Sequence, residues 1–305
     1  MVKGIFSTFV AFVGTATLAD AFWCPDKTCS GENVKHVTCF EGKFKSKCET
    51  KKGDPGDFDS YAIALLHVSS WCDALERDGD ATATHPTGTR CKHIEVPRMT
   101  VHGLWTQYDG GFPACCGDIE NERIGSGDTV PHWNDPHKFS DALHSDMLVN
   151  WIDPTDVAWN EWGSMCSIWQ HEWLKHGSCA GLGAPTDTRS SYGARAYFSE
   201  TMSVFHSLDE SIAKVDALPG GKTVSASALQ EMFPKKVELL CDNTLPEGQD
   251  RLVELRACFR KDEVTNKVGA PADCGPPSAF GALRACGDVV EIGKEFTPKD
   301  STFLS

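Results

Sequence analysis

The chain has 305 residues, of which 40% are hydrophobic and 24% charged. Such usage excludes collagen, coiled coil and whole-chain disorder, and it allows either two domains or one enzyme core with long loops. Its 29 lysines and arginines face 43 aspartates and glutamates, a formal charge of -14 at pH 7, which excludes a protein that holds nucleic acid chiefly by neutralising many phosphates; a polyanion could be processed only at a locally positive site.

Residues 1–21 have the pattern of a secretory signal peptide. Lys3 supplies a positive start, Gly4 to Leu18 is uncharged and mainly apolar, and Ala19-Asp20-Ala21 is a small-x-small cleavage site, with removal predicted after Ala21. The apolar run falls short of the roughly 20 residues that a membrane-spanning helix needs. No later segment is apolar enough to span, so no membrane partner is expected. An exported chain keeps its 14 cysteines in an oxidising compartment, where disulfides are expected. The expected address is extracellular, with a vacuole or lysosome as the other acceptable destination.

Residues 22–56 read as a Cys/Lys-rich extension. Cys24, Cys29, Cys39 and Cys48 can staple it, and Glu32, Glu41 and Glu49 dilute its lysines, so a stabilising cap fits better than a binding arm. Tyr61 to Val68 is a β-rich apolar run, and Glu76 to Arg90, rich in Gly, Thr, Asp and Pro, reads as an exposed loop. Met99 to Trp105 is a short strand, Trp169 to His176 has helical spacing, and Lys236 to Cys241 and Leu252 to Phe259 are strands separated by a polar turn region. Helices in the middle and strands at both ends predict an α+β fold, a mostly antiparallel twisted sheet with flanking helices, stapled by disulfides.

The chemistry concentrates in two segments. One is Val101-His102-Gly103-Leu104-Trp105, where strand alternation gives one face to the core and the other to a substrate. The other is His171-Glu172-Trp173-Leu174-Lys175-His176-Gly177-Ser178-Cys179. At about 100° per residue His171, Glu172, Lys175 and His176 fall on one helix face, with Trp173 and Leu174 on the other. A solvated charged stripe would account for Glu172 and Lys175 but not for two histidines enclosed by tryptophans. A His-Glu-x-x-His zinc site is the sharper competitor. Here the second histidine comes one residue later, which on a continuous helix turns the imidazoles about 140° apart and opposes chelation, so no metal is expected.

These two segments resemble the paired active-site motifs of the ribonuclease T2 family, secreted acid endoribonucleases. The resemblance runs from about Phe58 to Cys286 and makes residues 57–305 the expected catalytic domain, a monomer needing no cofactor. It implies that His176 is the general base and His102 the general acid of the first step, that His171 holds the phosphate, and that Glu172 and Lys175 stabilise the transition state. It implies a single-stranded RNA substrate, not DNA, cleaved through a 2′,3′-cyclic phosphate to 3′-phosphate ends. Trp105 is the expected base-stacking residue and Tyr108 a second candidate, while Gln107 and Thr106 stand where the family often has an acidic residue and proline, so base preference does not carry over. Leu66-His67-Val68 likewise replaces the family's Gln-Trp-Pro.

By the same resemblance Cys72 pairs with Cys91, Cys179 with Cys115 or Cys116, Cys241 with Cys286 and Cys258 with Cys274, leaving Cys166 for the unused member of the adjacent pair. The rival reading is a catalytically retired relative that binds RNA or a protein partner. The intact set of five catalytic groups speaks against it.

Overall fold

The computed structural model describes residues 53–78, 90–91, 93–109, 111–114, 116, 141–156, 164–182, 191–275 and 283–298. The expected signal peptide, nearly all of the expected extension and most of the expected loop lie outside the described residues.

Strand β1 (Ser60–His67) is followed without a break by helix α1 (Val68–Asp78). Every residue of β1 from Tyr61 to His67 is buried, as its near-continuous apolar run requires of a strand covered on both faces. The helix runs through Glu76 to Asp78, three residues that were expected to open an exposed loop. Strands β2 (Arg90–Cys91) and β3 (Met99–Gln107) come next, the latter two residues longer than its apolar run.

The middle of the chain supplies α2 (Asp141–Asn150), β4 (Thr155–Asp156), α3 (Ser164–Lys175), a 3-10 turn over Gly177–Cys179, α4 (Ser191–Ser207) and α5 (Asp209–Asp216). The C-terminal part adds β5 (Thr223–Ser225), α6 (Ala226–Gln230), β6 (Glu238–Asp242), β7 (Leu252–Lys261), β8 (Val268–Ala272), β9 (Leu283–Ala285) and β10 (Val289–Glu291).

The main sheet has the order β3-β1-β7-β6-β9, with β8 also paired to β7, and every one of these pairs is antiparallel. The fold is therefore α+β as predicted. β3 stands at the end of this order, and an edge strand must place its outer N–H and C=O groups somewhere. Side chains take them: the Trp151 indole donates to the His102 carbonyl at 3.0 Å, and the Tyr197 hydroxyl donates to the Leu104 carbonyl at 3.0 Å while accepting from the Leu104 N–H at 3.3 Å. The Trp169 indole in turn donates to the Trp151 carbonyl at 2.9 Å. Two tryptophans thus tie α3 to β3, holding the two motif segments together.

Disulfides join Cys72 to Cys91, Cys116 to Cys179, Cys241 to Cys286 and Cys258 to Cys274. Of the two neighbours expected to compete for Cys179, Cys116 is the one bonded; Cys115 and the Cys166 side chain lie outside the described residues. No helix among the described residues is long and apolar enough to cross a membrane.

Candidate active site

The pairing of β3 with β1 explains where His102 points. Ala64 is opposite Gly103 and Leu65 opposite Val101, so His102 is an extra residue in a bulge. A bulge interrupts the alternation and re-aims one side chain. On β1, an interior strand, Ala62 and Ala64 are each paired on both sides, with Trp105 and Gly103 of β3 and with Cys258 and Arg256 of β7. Two alanines in that row leave a trough across β1. His102 reaches over it and its Nδ1–H donates to Glu254 of β7 at 2.7 Å, while the Arg256 guanidinium lies over the Trp105 ring, 5.0 Å from its centre.

Gly103 is the floor on which the second motif rests. A Cβ there would lie 1.9 Å from Glu172 Oε2 and 2.6 Å from Trp105 Nε1, so only glycine lets α3 bring its carboxylate this close. The Trp105 indole donates to that oxygen at 2.8 Å. Glu172 is fully buried, and its other oxygen, Oε1, has no hydrogen-bond partner among the described residues. It stands 3.9 Å from His102 Nε2 and 3.7 Å from His171 Nε2, between the two motif segments.

The helix ends at Lys175, and His176 sits at the start of the 3-10 turn, its N–H still donating to the Glu172 carbonyl at 3.1 Å. Gly177 permits this tight exit, because a Cβ on it would lie 2.7 Å from the rings of Trp173 and Tyr197. The His176 ring is buried, 5.2 Å from the Trp105 ring and 6.3 Å from the His171 ring, with Nδ1 lacking a partner among the described residues.

The two imidazoles sit in opposite electrostatic surroundings. Burial, reinforced by the positive charges of Lys175, His171, His102 and Arg256, holds the His176 imidazolium well below the usual histidine range. Burial also acts against a charged His102, but the hydrogen bond and charge of Glu254, helped by Glu172, outweigh it and raise that imidazole above its ordinary value. The Glu172 carboxyl is pushed up by burial and pulled back by His102, Trp105 and Lys175. These surroundings favour the neutral form of His176 and the charged form of His102.

The metal expectation needs a geometric correction. Although they stand five positions apart, His171 and His176 converge once the helix ends, and with Glu172 they place one ligand atom each within 4.8 Å of one another. Continuous helical spacing is therefore no argument against chelation here. The field of Lys175 and Arg256 on His176 is one, because it opposes a further cation at the same place.

Trp105 also departs from expectation. It is 7% exposed, with Arg256 over its ring, His176 tilted against it and His102 edge-on at 5.1 Å. An indole so enclosed presents little open face; it stands between the two histidine rings and donates to Glu172. Phe112, which sequence reasoning passed over, is half-buried with its ring 5.9 Å from that of His176. Gln107 and Tyr108 lie at the end of β3 and just beyond it, Gln107 paired with Ser60 and Tyr108 bridged to Gly111. The Tyr108 hydroxyl is raised by burial and by Asp57, Asp59 and Asp54, an acidic setting that does not favour phosphate.

Residues 58–274 match the family model described as Ribonuclease T2 family. The chain is 24% identical over 216 residues to the ribonuclease T2 protein rnst-2 of Caenorhabditis elegans, covering 69% of this chain and 66% of that one. It is 29% identical over 134 residues to ribonuclease DdI of Dictyostelium discoideum, covering 44% and 45%. The chain thus spans between about half and two-thirds of these relatives' length. Among solved structures, RNase NT in complex with 5′-AMP superposes with a TM-score of 0.52 at 22% identity, covering 78% of this chain and 98% of that one, a likeness of fold.

Proposed function

The chain belongs to the ribonuclease T2 family, and on that premise we propose that it is an exported, metal-independent endoribonuclease that cleaves single-stranded RNA by transphosphorylation. The observation that carries this reading is the pair of imidazoles packed against Trp105 in opposite electrostatic surroundings, which is what simultaneous base and acid catalysis needs.

His176, held neutral, takes the proton of the ribose 2′-OH as that oxygen attacks phosphorus. His102, held charged, gives its proton to the 5′-oxygen as the P–O5′ bond breaks. The cyclic phosphate is then opened by water, whose proton goes to His102 while His176 returns a proton to O2′ as the P–O2′ bond breaks, leaving a 3′-phosphate. Lys175 and His171 supply positive charge for the pentacovalent transition state, and Glu172, fixed by Trp105, orients the imidazoles on either side of it. We assign base stacking to Phe112, with Tyr108 beyond it, and give Trp105 the task of spacing the two histidines.

The pH profile tests this assignment. His176 lies below the usual histidine value of 6.5 and His102 above it. Activity should therefore fall at acid pH as the base protonates and fall again at alkaline pH as the acid deprotonates, with limbs on either side of 6.5 that belong to the coupled pair. A kcat/KM profile on a dinucleoside monophosphate that keeps rising above neutrality would contradict it.

Gly103→Ala should be among the most damaging small substitutions. The added methyl displaces Glu172 and breaks its bond to Trp105, and a misplacement of about 1 Å can cost on the order of 10²-fold in rate. Turnover of the folded variant checks this; near-normal kcat would show that Glu172 needs no such close approach.

A further inference from the structure

We infer that Glu254 is the positioning residue of His102, and that the hydrogen-bonded chain His102–Glu254–Arg256–Glu238, buried at its two middle members, fixes the tautomer and charge with which the general acid meets its substrate. The inference rests on the proposed endoribonuclease reading and goes beyond it to a residue 152 positions away in the sequence. The two oxygens of Glu254 are both engaged: Oε2 accepts from His102 Nδ1 at 2.7 Å and Oε1 from Arg256 Nε at 2.7 Å. Arg256 Nη1 reaches Glu238 at 3.3 Å, the residue directly opposite it on β6.

Glu254 and Arg256 are 2% and 6% exposed, in a strand whose neighbours are otherwise mainly apolar. A buried ion pair is a poor device for stability, since well-packed apolar residues serve as well or better. Its arrangement does, however, dictate the chemistry of His102. With Nδ1–H committed to a carboxylate, the proton available for transfer is on Nε2, and that nitrogen faces Glu172 Oε1 and the His171–His176 cluster. Arg256 keeps Glu254 able to do this: burial acts to raise the carboxyl, but Arg256 and His102 together hold it at about 2, so it is ionised across the working range.

The charged or titratable groups acting on His102 are Glu254 and Arg256 from β7 and Glu172 from α3, with His176 coupled to it from the turn beyond. Glu172 acts on His102 through its charge alone. At 3.9 Å from His102 it makes no hydrogen bond to it, whereas Glu254 does.

The test compares the full chain with Glu254→Gln and Glu254→Asp, measuring the His102 titration by NMR and the pH dependence of kcat and KM on a dinucleoside monophosphate. Glutamine keeps an acceptor but loses the charge, and removal of an opposite charge at hydrogen-bond distance should lower His102 by about one to three units. The alkaline limb should move to lower pH by the same amount, kcat at neutral pH should fall about tenfold or more, and KM should change little. Aspartate, with the charge retained on a shorter arm, should fall between wild type and glutamine.

A folded Glu254→Gln with an unmoved His102 titration and alkaline limb would overturn the inference. Where the glutamine variant does not fold, Glu254→Asp decides in the same way, an unmoved limb again being fatal. Wild-type protein that titrates as described but does not cut RNA would instead sink the endoribonuclease reading and leave the Glu254–His102 coupling standing.

Discussion

His102→Ala and His176→Ala should each lose about 10²–10⁴-fold of RNA cleavage while remaining folded, the range expected when a positioned proton-transfer group is removed. The two losses have different origins. Without His176 the 2′-OH loses the neutral imidazole that burial and the positive charges of Lys175 and His171 keep free of a proton. Without His102 the 5′-oxygen must leave as an alkoxide. Folding should survive in both variants: Nδ1 of His176 makes no hydrogen bond among the described residues, and Glu254 keeps Arg256 when His102 is gone.

The residual pH profiles separate the roles further. His176→Ala should lack the acidic limb and His102→Ala the alkaline one. Removing both should cost scarcely more than removing either, since groups acting in one concerted step are not additive. Single-turnover rates on a fluorescent oligoribonucleotide provide the measurement, and near-normal turnover in either variant removes that histidine from the mechanism.

Four of the main sheet's strands and the catalytic helix were legible in the sequence because their signals are local: an apolar run at Tyr61 to Val68, of which Val68 already opens α1, and helical spacing from Trp169 to His176. The five candidate catalytic groups lie within the same two short segments. What was not legible depends on register. The bulge that aims His102 is set by how Ala64 and Leu65 pair with β3, which no periodicity within β3 reveals, and the small row of Ala62 and Ala64 matters only because Trp105 flanks it on one strand and Arg256 on the other.

Glu254 and Arg256 did leave a trace, two opposite charges at i and i+2 inside the apolar run from Leu252 to Phe259. Their meaning came only with the trough. The end of α3 was missed because His176 continues the helical pattern, while Gly177, which releases the chain into a 3-10 turn, carries no signal about ring contacts with Trp173 and Tyr197. The enclosure of Trp105 has the same origin, since its neighbours Arg256 and His176 come from distant parts of the chain.

The largest effect of all should come from the substrate. If the nucleophile is the ribose 2′-OH, a single 2′-deoxy residue at the cleavage position removes the group that His176 must deprotonate, and DNA of the same sequence should be inert. Duplex RNA should be cut poorly, because paired bases cannot splay onto Phe112 and the helical backbone resists the in-line approach to phosphorus. Two imidazoles and Lys175 supply the proton transfers and charge that a metal nuclease draws from its ion, so EDTA should leave the rate unchanged.

One measurement tests this most directly: early-product analysis on single-stranded RNA carrying one 2′-deoxy position, with and without EDTA. The expected result is 2′,3′-cyclic phosphate ends that later become 3′-phosphates, at an undiminished rate in EDTA, with no cut after the deoxy residue. Cleavage at that residue, direct appearance of 5′-phosphate ends, or loss of activity on chelation would contradict it.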